Sequence, residues 1–296
     1  MHGVRTALPD LSIRQLEYLL AVADHPTWAA AAASVGVSAS ALSQGLAELE
    51  RRVGVPLFDR DGRRRVLRPA AAEVLAHARQ VVALTRDLAT WADRARTGAS
   101  GRLRIGMIDA AAVGHFSDHL RSFRAAHPEL EVLLTVGPSG AMLDQLEAGR
   151  VDLAVCVDPR GSRRGVDVRP LLTEDIAVYS PDGRRPRRPT TWGPWVLFPE
   201  GSHTRALIRD ALEELGAPMD VVAESHQPEV LRAMVGLGLG WTVLPVVQAE
   251  TGTDALANGR VIASRDLVAA TRTGAATDPA VALLLERLAG EGGTGL

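Results

Sequence analysis

Residues 14–60 read RQLEYLLAVADHPTWAAAAASVGVSASALSQGLAELERRVGVPLFDR, and this stretch decides the fold of the N-terminal part. Ser12 stands just before it with Gln15 three residues on, a capping-box pattern that starts a helix. Ile13, Leu16, Leu19, Leu20 and Ala23 then recur at helical spacing until Asp24-His25-Pro26 ends the run. Thr27 caps a second helix, Trp28 to Ser34, whose alanines Ala29 to Ala33 let a neighbour approach closely. Val35-Gly36-Val37 is a turn. Ser38 caps a third helix, in which Leu42, Leu46, Leu49 and Val53 form one apolar face. Ala39, Ser40, Ser43, Gln44 and Glu48 lie on its other face. Two short helices joined by a tight glycine turn, the second small and polar outward, form a helix-turn-helix pattern.

The residues after this third helix strengthen that reading. Pro56 to Arg60 and Arg63 to Leu67 flank Asp61-Gly62, a pair suited to the positive φ angles of a two-residue hairpin turn. Residues 51–68 hold seven Arg against two Asp. An arginine-tipped hairpin after a helix-turn-helix is a wing; the plainer alternative is a solvated surface loop. The charge is uneven elsewhere too. Residues 1–100 carry 13 Arg against 10 acids, and residues 101–296 carry 20 against 25.

Arg68-Pro69 predicts the start of a long helix, since proline fits a first helical turn. Val74, Ala78, Val81, Thr85, Leu88, Ala92 and Ala95 repeat with heptad-like spacing, backed by Leu75, Val82 and Trp91. Such a seam outruns three small helices and predicts pairing with a second copy of the chain. Thr97-Gly98-Ala99-Ser100-Gly101 breaks the helix as a hinge.

From residue 102 the pattern becomes α/β. Strands are expected at 103–108, 130–136, 151–157, 175–179, 195–198, 221–224, 240–244 and 267–271. Helices are expected at 115–126, 139–148, 204–215, 228–235 and 279–288. Their alternation predicts a parallel sheet. The expected division is a winged helix-turn-helix domain over 1–68, a linker helix over 69–97 and an α/β domain over 101–296. In the last, lobe one takes about 101–165 and 266–292, and lobe two about 166–265.

Composition excludes several classes. Hydrophobic residues are 46% and charged residues 23%, too apolar a mixture for a disordered chain. The sequence holds no run of about 18 apolar, uncharged residues, the length that spans a bilayer. Residues 1–10 hold no apolar signal core. The single cysteine, Cys156, excludes an internal disulfide and any multi-cysteine zinc site, and it predicts a reducing cytoplasm. Cys156 itself reads as a packed thiol. There is no lysine, so lysine chemistry is excluded.

These stretches resemble the LysR-type transcriptional regulators. The resemblance runs along nearly the whole chain: residues 14–60 above, GRRRVLRPAA at 62–71, LRIG at 103–106, AAHPELEVLL at 125–134, LEAGRVDLAV at 146–155 and GLGWTVLP at 238–245. It implies a mainly α winged helix-turn-helix, a dimerising linker helix and a two-lobed α/β effector domain similar to periplasmic binding proteins. It also implies promoter DNA and a small metabolite as partners, assembly as a homodimer or homotetramer, and RNA polymerase as a further contact. Some positions depart from the family. Where many members carry Ser-Gln-Pro-Ala, this chain has Ser38-Ala39-Ser40-Ala41. The frequent Arg after the Ser of the ALS core is Gln44, followed by Gly45.

The candidate DNA-contacting residues are Ser38, Ser40, Ser43, Gln44, Arg51, Arg63, Arg64 and Arg65. Serine bonds phosphates or base edges, and Gln can pair with adenine. Ser38 also reads as a plain cap, and Arg51 as a partner of the helix dipole. In open α/β sheets ligands sit beyond the carboxyl ends of strands. That places the candidate effector residues at Asp109, Ser139, Ser202, His203, Thr204 and His226, each of which also reads as a cap or turn residue. Asp109 disfavours a carboxylate and favours a cationic or hydroxyl-bearing group. An enzyme or a solute-binding protein on the same α/β scaffold is the rival reading. No GxSxG or HExxH motif supports the first, and the wing and linker would be idle in the second. Neither a catalytic residue, a metal ligand nor a cofactor is expected.

Overall fold

The structure is a computed structural model that describes residues 10–61, 64–97, 101–159, 161, 163–275 and 278–290. It divides into two compact units, residues 1–90 with 147–149, and residues 91–146 with 150–296.

The first unit opens with α1 (Ile13–Asp24), α2 (Trp28–Ser34) and α3 (Ala39–Val53). Each starts where its cap residue stands. Gln15 accepts the Ser12 N–H at 3.4 Å, Thr27 Oγ1 accepts the Ala30 N–H at 3.1 Å, and Ser38 Oγ accepts the Ala41 N–H at 3.2 Å. Gly54 ends α3 at φ +76°, a left-handed conformation that costs glycine little. Leu19, Leu42, Leu46 and Leu49 are fully buried where the three helices meet. The wing comes next, as β1 (Phe58–Asp61) and β2 (Arg64–Leu67). Asp61 pairs with Arg64, so it is a strand residue and not the first turn residue expected. The pairing from Phe58↔Leu67 onward fixes that register.

The helix α4 (Ala71–Thr97) starts two residues later than expected, because Pro69 and Ala70 form a turn in front of it. Its 27 residues reach about 40 Å. The apolar stripe does not wait for a second chain along its whole length. Ala71, Ala78 and Val82 are buried in the helix-turn-helix core, because their small or branched side chains fit against α1 to α3. Further along, Leu88 and Trp91 are 57% and 49% exposed. The expected hinge falls on residues 98–100, outside the described residues.

The second unit is built on the strands β3 (Arg102–Met107), β4 (Glu131–Val136), β5 (Leu153–Val157), β6 (Val166–Tyr179), β7 (Trp195–Leu197), β8 (Val221–Glu224), β9 (Thr242–Pro245) and β10 (Arg260–Arg272). Six of them form one sheet in the order β4-β3-β5-β10-β6-β9. The other two, β7 and β8, form a separate parallel pair. Only part of the six-stranded sheet is parallel: β3 lies parallel to β4 and β5. The expectation of a parallel sheet fails at β6 and β10, which run antiparallel beside each other from Val166↔Arg272 to Val178↔Arg260. They are much longer than the 175–179 and 267–271 segments expected.

The helices are α5 (Ser117–Ala126), α6 (Ser139–Glu147), α7 (His203–Glu214), α8 (Pro228–Gly236), α9 (Val246–Ala249) and α10 (Pro279–Ala289). A π-helical turn, Ala110–His115, precedes α5 and starts the helical segment earlier than expected. Two separate cores form. One gathers Leu103, Phe123, Leu143 and Leu284, and the other Tyr179, Trp195, Leu212 and Leu244. The first reaches Leu171 and Leu172 along β6, and the second begins at Ile176. The lobes therefore meet inside β6 rather than at residue 166.

Candidate DNA-binding surface and effector cleft

The first candidate site is the face of α3 and the wing beside it. Burial of Leu42, Leu46 and Leu49 turns the opposite face outward. Ser40 and Gln44 are exposed, and Ser43 is half-buried. Ser38 is both cap and neighbour, since its hydroxyl also meets Ser40 Oγ at 2.9 Å. Arg51 is held at its own helix: Glu48 accepts its Nε–H at 2.7 Å, and accepts Arg52 Nε–H at 2.5 Å. Those hydrogen bonds lower the Glu48 carboxyl to about 2. Arg63 lies outside the described residues, while Arg64 and Arg65 take their places on β2.

Residues not singled out from sequence hold the wing to α3. Glu50 accepts the N–H groups of Leu57 at 2.7 Å and Phe58 at 3.2 Å. Trp28 of α2 meets Phe58 edge-on with ring centroids 5.2 Å apart. Gly45 has a steric reason. A Cβ there would stand 2.7 Å from the buried ring of Tyr18, so only glycine lets α3 lie so close to α1.

The second candidate site is a cleft of about 680 Å³ at the carboxyl ends of the strands of the second unit. All six effector candidates named from sequence line it: Asp109, Ser139, Ser202, His203, Thr204 and His226. They converge because each comes after a strand end and lies at or near the start of a helical segment. Ser139 is buried, and its Oγ accepts the Val157 N–H at 3.2 Å. Ser202 caps α7 through the Arg205 N–H at 3.0 Å. His226 is exposed and precedes α8 by two residues, with Gln227 as the cap. Burial, followed by the charge of Arg163, lowers the His203 pKa and favours its neutral ring.

The floor of the cleft holds a network that sequence reasoning missed. Arg265 of β10 donates Nε–H to Glu174 of β6 at 2.6 Å and a terminal N–H to Thr204 Oγ1 at 2.5 Å. His115 Nε2 meets the other Glu174 oxygen at 2.7 Å. Arg265 and Glu174 are opposite each other in the strand register and only 5% and 6% exposed. Burial alone would raise the Glu174 carboxyl, but His115 and Arg265 together bring it below its ordinary value. Gln248 donates Nε2–H to Asp109 at 2.9 Å. The available signal was a charge within each strand, because charges are seldom buried unless paired. Among the described residues no group of three His, Cys, Asp or Glu side chains suits a metal ion. Nor is any helix long and apolar enough to cross a membrane.

Two family models match the chain. Residues 13–72 match the bacterial regulatory helix-turn-helix proteins of the lysR family, and residues 96–292 match the LysR substrate binding domain. The chain belongs to the LysR family of DNA-binding transcriptional regulators with an effector-binding domain. It is 33% identical to a probable hydrogen peroxide-inducible genes activator of Streptomyces viridosporus, over 90% of this chain and 89% of that protein. It is 28% identical to the transcriptional regulator IlvY of Escherichia coli, over 86% and 89%. Among solved structures, a full-length OxyR variant from Pseudomonas aeruginosa shares the fold with a TM-score of 0.64 at 22% identity, covering 94% of this chain and 97% of that one. Full-length CbnR in complex with its target DNA gives a TM-score of 0.62 at 20% identity, covering 94% and 99%.

Proposed function

We propose that this chain regulates transcription in the cytoplasm by binding promoter DNA through α3 and the wing, under control of a small molecule held in the cleft. The observation that carries the reading is the pairing, in one chain, of an outward polar helix face beside an arginine-rich hairpin with a cleft where polar groups converge from several strand ends. Ser38, Ser40, Ser43 and Gln44 are the proposed base- and phosphate-contacting residues, with Arg63, Arg64 and Arg65 on the backbone. Arg51 reaches phosphate by exchanging Glu48 for it. The exposed Leu88 and Trp91 support pairing of α4 with a second copy over residues 70–96, as a homodimer or within a homotetramer. The chain acts by binding rather than by catalysis.

The hydrogen peroxide response named for the Streptomyces relative does not carry over through a thiol. Cys156 is the sole cysteine, fully buried in β5, and burial together with Asp158 pushes it up to about 12. Peroxide reacts with a thiolate, and this site withholds one.

The test is an electrophoretic shift assay on the DNA just upstream of the chain's own gene. Log affinity should fall linearly with log salt as phosphate contacts release counterions. Arg64→Ala should weaken all sequences alike, whereas Gln44→Ala should relax preference at one base position. If neither change alters binding, the DNA surface lies elsewhere.

A further inference from the structure

We propose that the cleft selects a small zwitterion, an α-amino acid or a close analogue, with its carboxylate at Arg265 and its ammonium at Asp109. This rests on the reading of the cleft as the effector site and adds the chemical class of the effector.

Ion pairs already offset some charges around the cleft. Asp144 is paired with Arg163 at 2.5 Å, and Glu200 with Arg205 at 3.1 Å and Arg209 at 3.6 Å. Glu229, exposed in the first turn of α8, complements the helix dipole. Asp109 differs. It lines the cleft, and its only polar side-chain partner among the described residues is the neutral amide of Gln248. That amide satisfies one carboxylate oxygen but leaves the charge uncompensated. An ammonium supplies both a donor and the missing positive charge, whereas a hydroxyl supplies only the donor.

The opposite end is Arg265, which also lines the cleft and is 5% exposed; Glu174 offsets its charge, so what it offers a carboxylate is its remaining N–H donors. A guanidinium has five N–H groups. Nε–H and one N–H of a terminal nitrogen serve Glu174, and one N–H of the other terminal nitrogen serves Thr204. One N–H on each terminal nitrogen is left to donate to a carboxylate. Thr204 ties the guanidinium to the first turn of α7, a 12-residue helix. There the N–H groups of His203 and Thr204 have no acceptor within the helix. His203, its pKa lowered by burial, brings no competing positive charge. The two ends are tied to different lobes, since Asp109 comes after β3 and Arg265, on β10, is bonded through Thr204 to α7. A ligand carrying both charges therefore bridges the lobes, and one carrying a single charge does not.

The experiment uses the full chain, thermal-shift screening and calorimetry. The probes are the twenty amino acids of proteins, and each that binds is compared with its deaminated acid and its decarboxylated amine. At least one amino acid should bind, with both analogues weaker by about tenfold to a hundredfold, the worth of one charge-assisted hydrogen bond. Asp109→Asn should bring the amino acid and its deaminated acid to within a few-fold of each other. Arg265→Lys should weaken both acids while sparing the amine. Should that variant fail to fold, Asp109→Asn still decides. A deaminated acid that binds the native chain as well as its amino acid overturns the proposal, as does a panel with no binder. Gly140→Trp separates the two readings, because Gly140 lines the cleft and a Cβ there meets nothing within 4 Å, which leaves room for a bulky ring. If Gly140→Trp abolishes binding of an inducer of another class, the cleft stands as the effector site and the zwitterion falls. Binding that survives Gly140→Trp overturns both.

Discussion

Replacing Gly45 by alanine sets two effects of known size against each other. In an ordinary helix interior the change stabilises by about 1 kcal/mol, because alanine loses less backbone freedom. Here the new Cβ would stand 2.7 and 2.8 Å from two carbons of the Tyr18 ring. Carbon atoms rest at about 3.5–4.0 Å, so the ring or α3 must retreat by about 0.7 Å or more. Tyr18 is 8% exposed, in the core shared by α1 and α3, and overpacking of such a site costs about 1–3 kcal/mol. With little room for the ring to turn away, the net loss should be about 1–2 kcal/mol. Amide hydrogen exchange across α3 in the full chain reads this as protection reduced about five- to thirtyfold. In a Tyr18→Leu background the obstruction is gone, and the same substitution should stabilise. A Gly45→Ala change that protects α3 equally in both backgrounds would refute the account of why glycine stands in this helix.

Glu174→Gln should destabilise the second unit by about 3–5 kcal/mol at neutral pH, since it leaves Arg265 buried without its counter-charge. The Glu174 carboxyl is held below its ordinary value, so its stabilising contribution is present above the unfolded pKa of about 4.3 and is lost as the pH falls below it. Thermal unfolding monitored from about pH 7 down to about pH 3.5 should thus be less acid-sensitive in the variant; an unchanged profile would contradict the network. Cys156, pushed up to about 12, should react with iodoacetamide at about pH 7.5 roughly a thousandfold more slowly than an open thiol. Rapid alkylation of the folded chain would show that the thiol is open.

The N-terminal unit was legible because its signals are local. Ser12, Thr27 and Ser38 stand one residue ahead of the three helices, and Gly54 ends the last. The cleft was legible for a related reason: strand ends and helix starts are marked in sequence, and the topology brings them together. The long strands were not. Residues Asp167 to Pro170 of β6 are exposed, so that half carries no apolar run, and only the buried half from Ile176 onward stood out. Glu174 and Arg265 are 91 residues apart, and nothing local to either announces the other. Gly45 reads only as a departure from its family until Tyr18 is seen beside it.

The central position of β5 governs the order in which the chain can fold during synthesis. Its five residues, all buried, lie between β3 and β10. The β3 partner precedes it in the chain, but the first β10 residue to pair with it, Leu267, comes 110 positions after Val157. At ribosomal rates of about 5–20 residues per second, that edge waits roughly 5–20 s for its neighbour. Throughout that interval Leu-Ala-Val-Cys-Val is an open apolar edge of the kind that templates aggregation. The second lobe has no such wait for β7 and β8, which lie wholly between β6 and β10 in the chain. The last strand to emerge is therefore the one that closes both lobes, and a nascent chain cut short before it carries a finished DNA-binding unit beside an unsealed sheet.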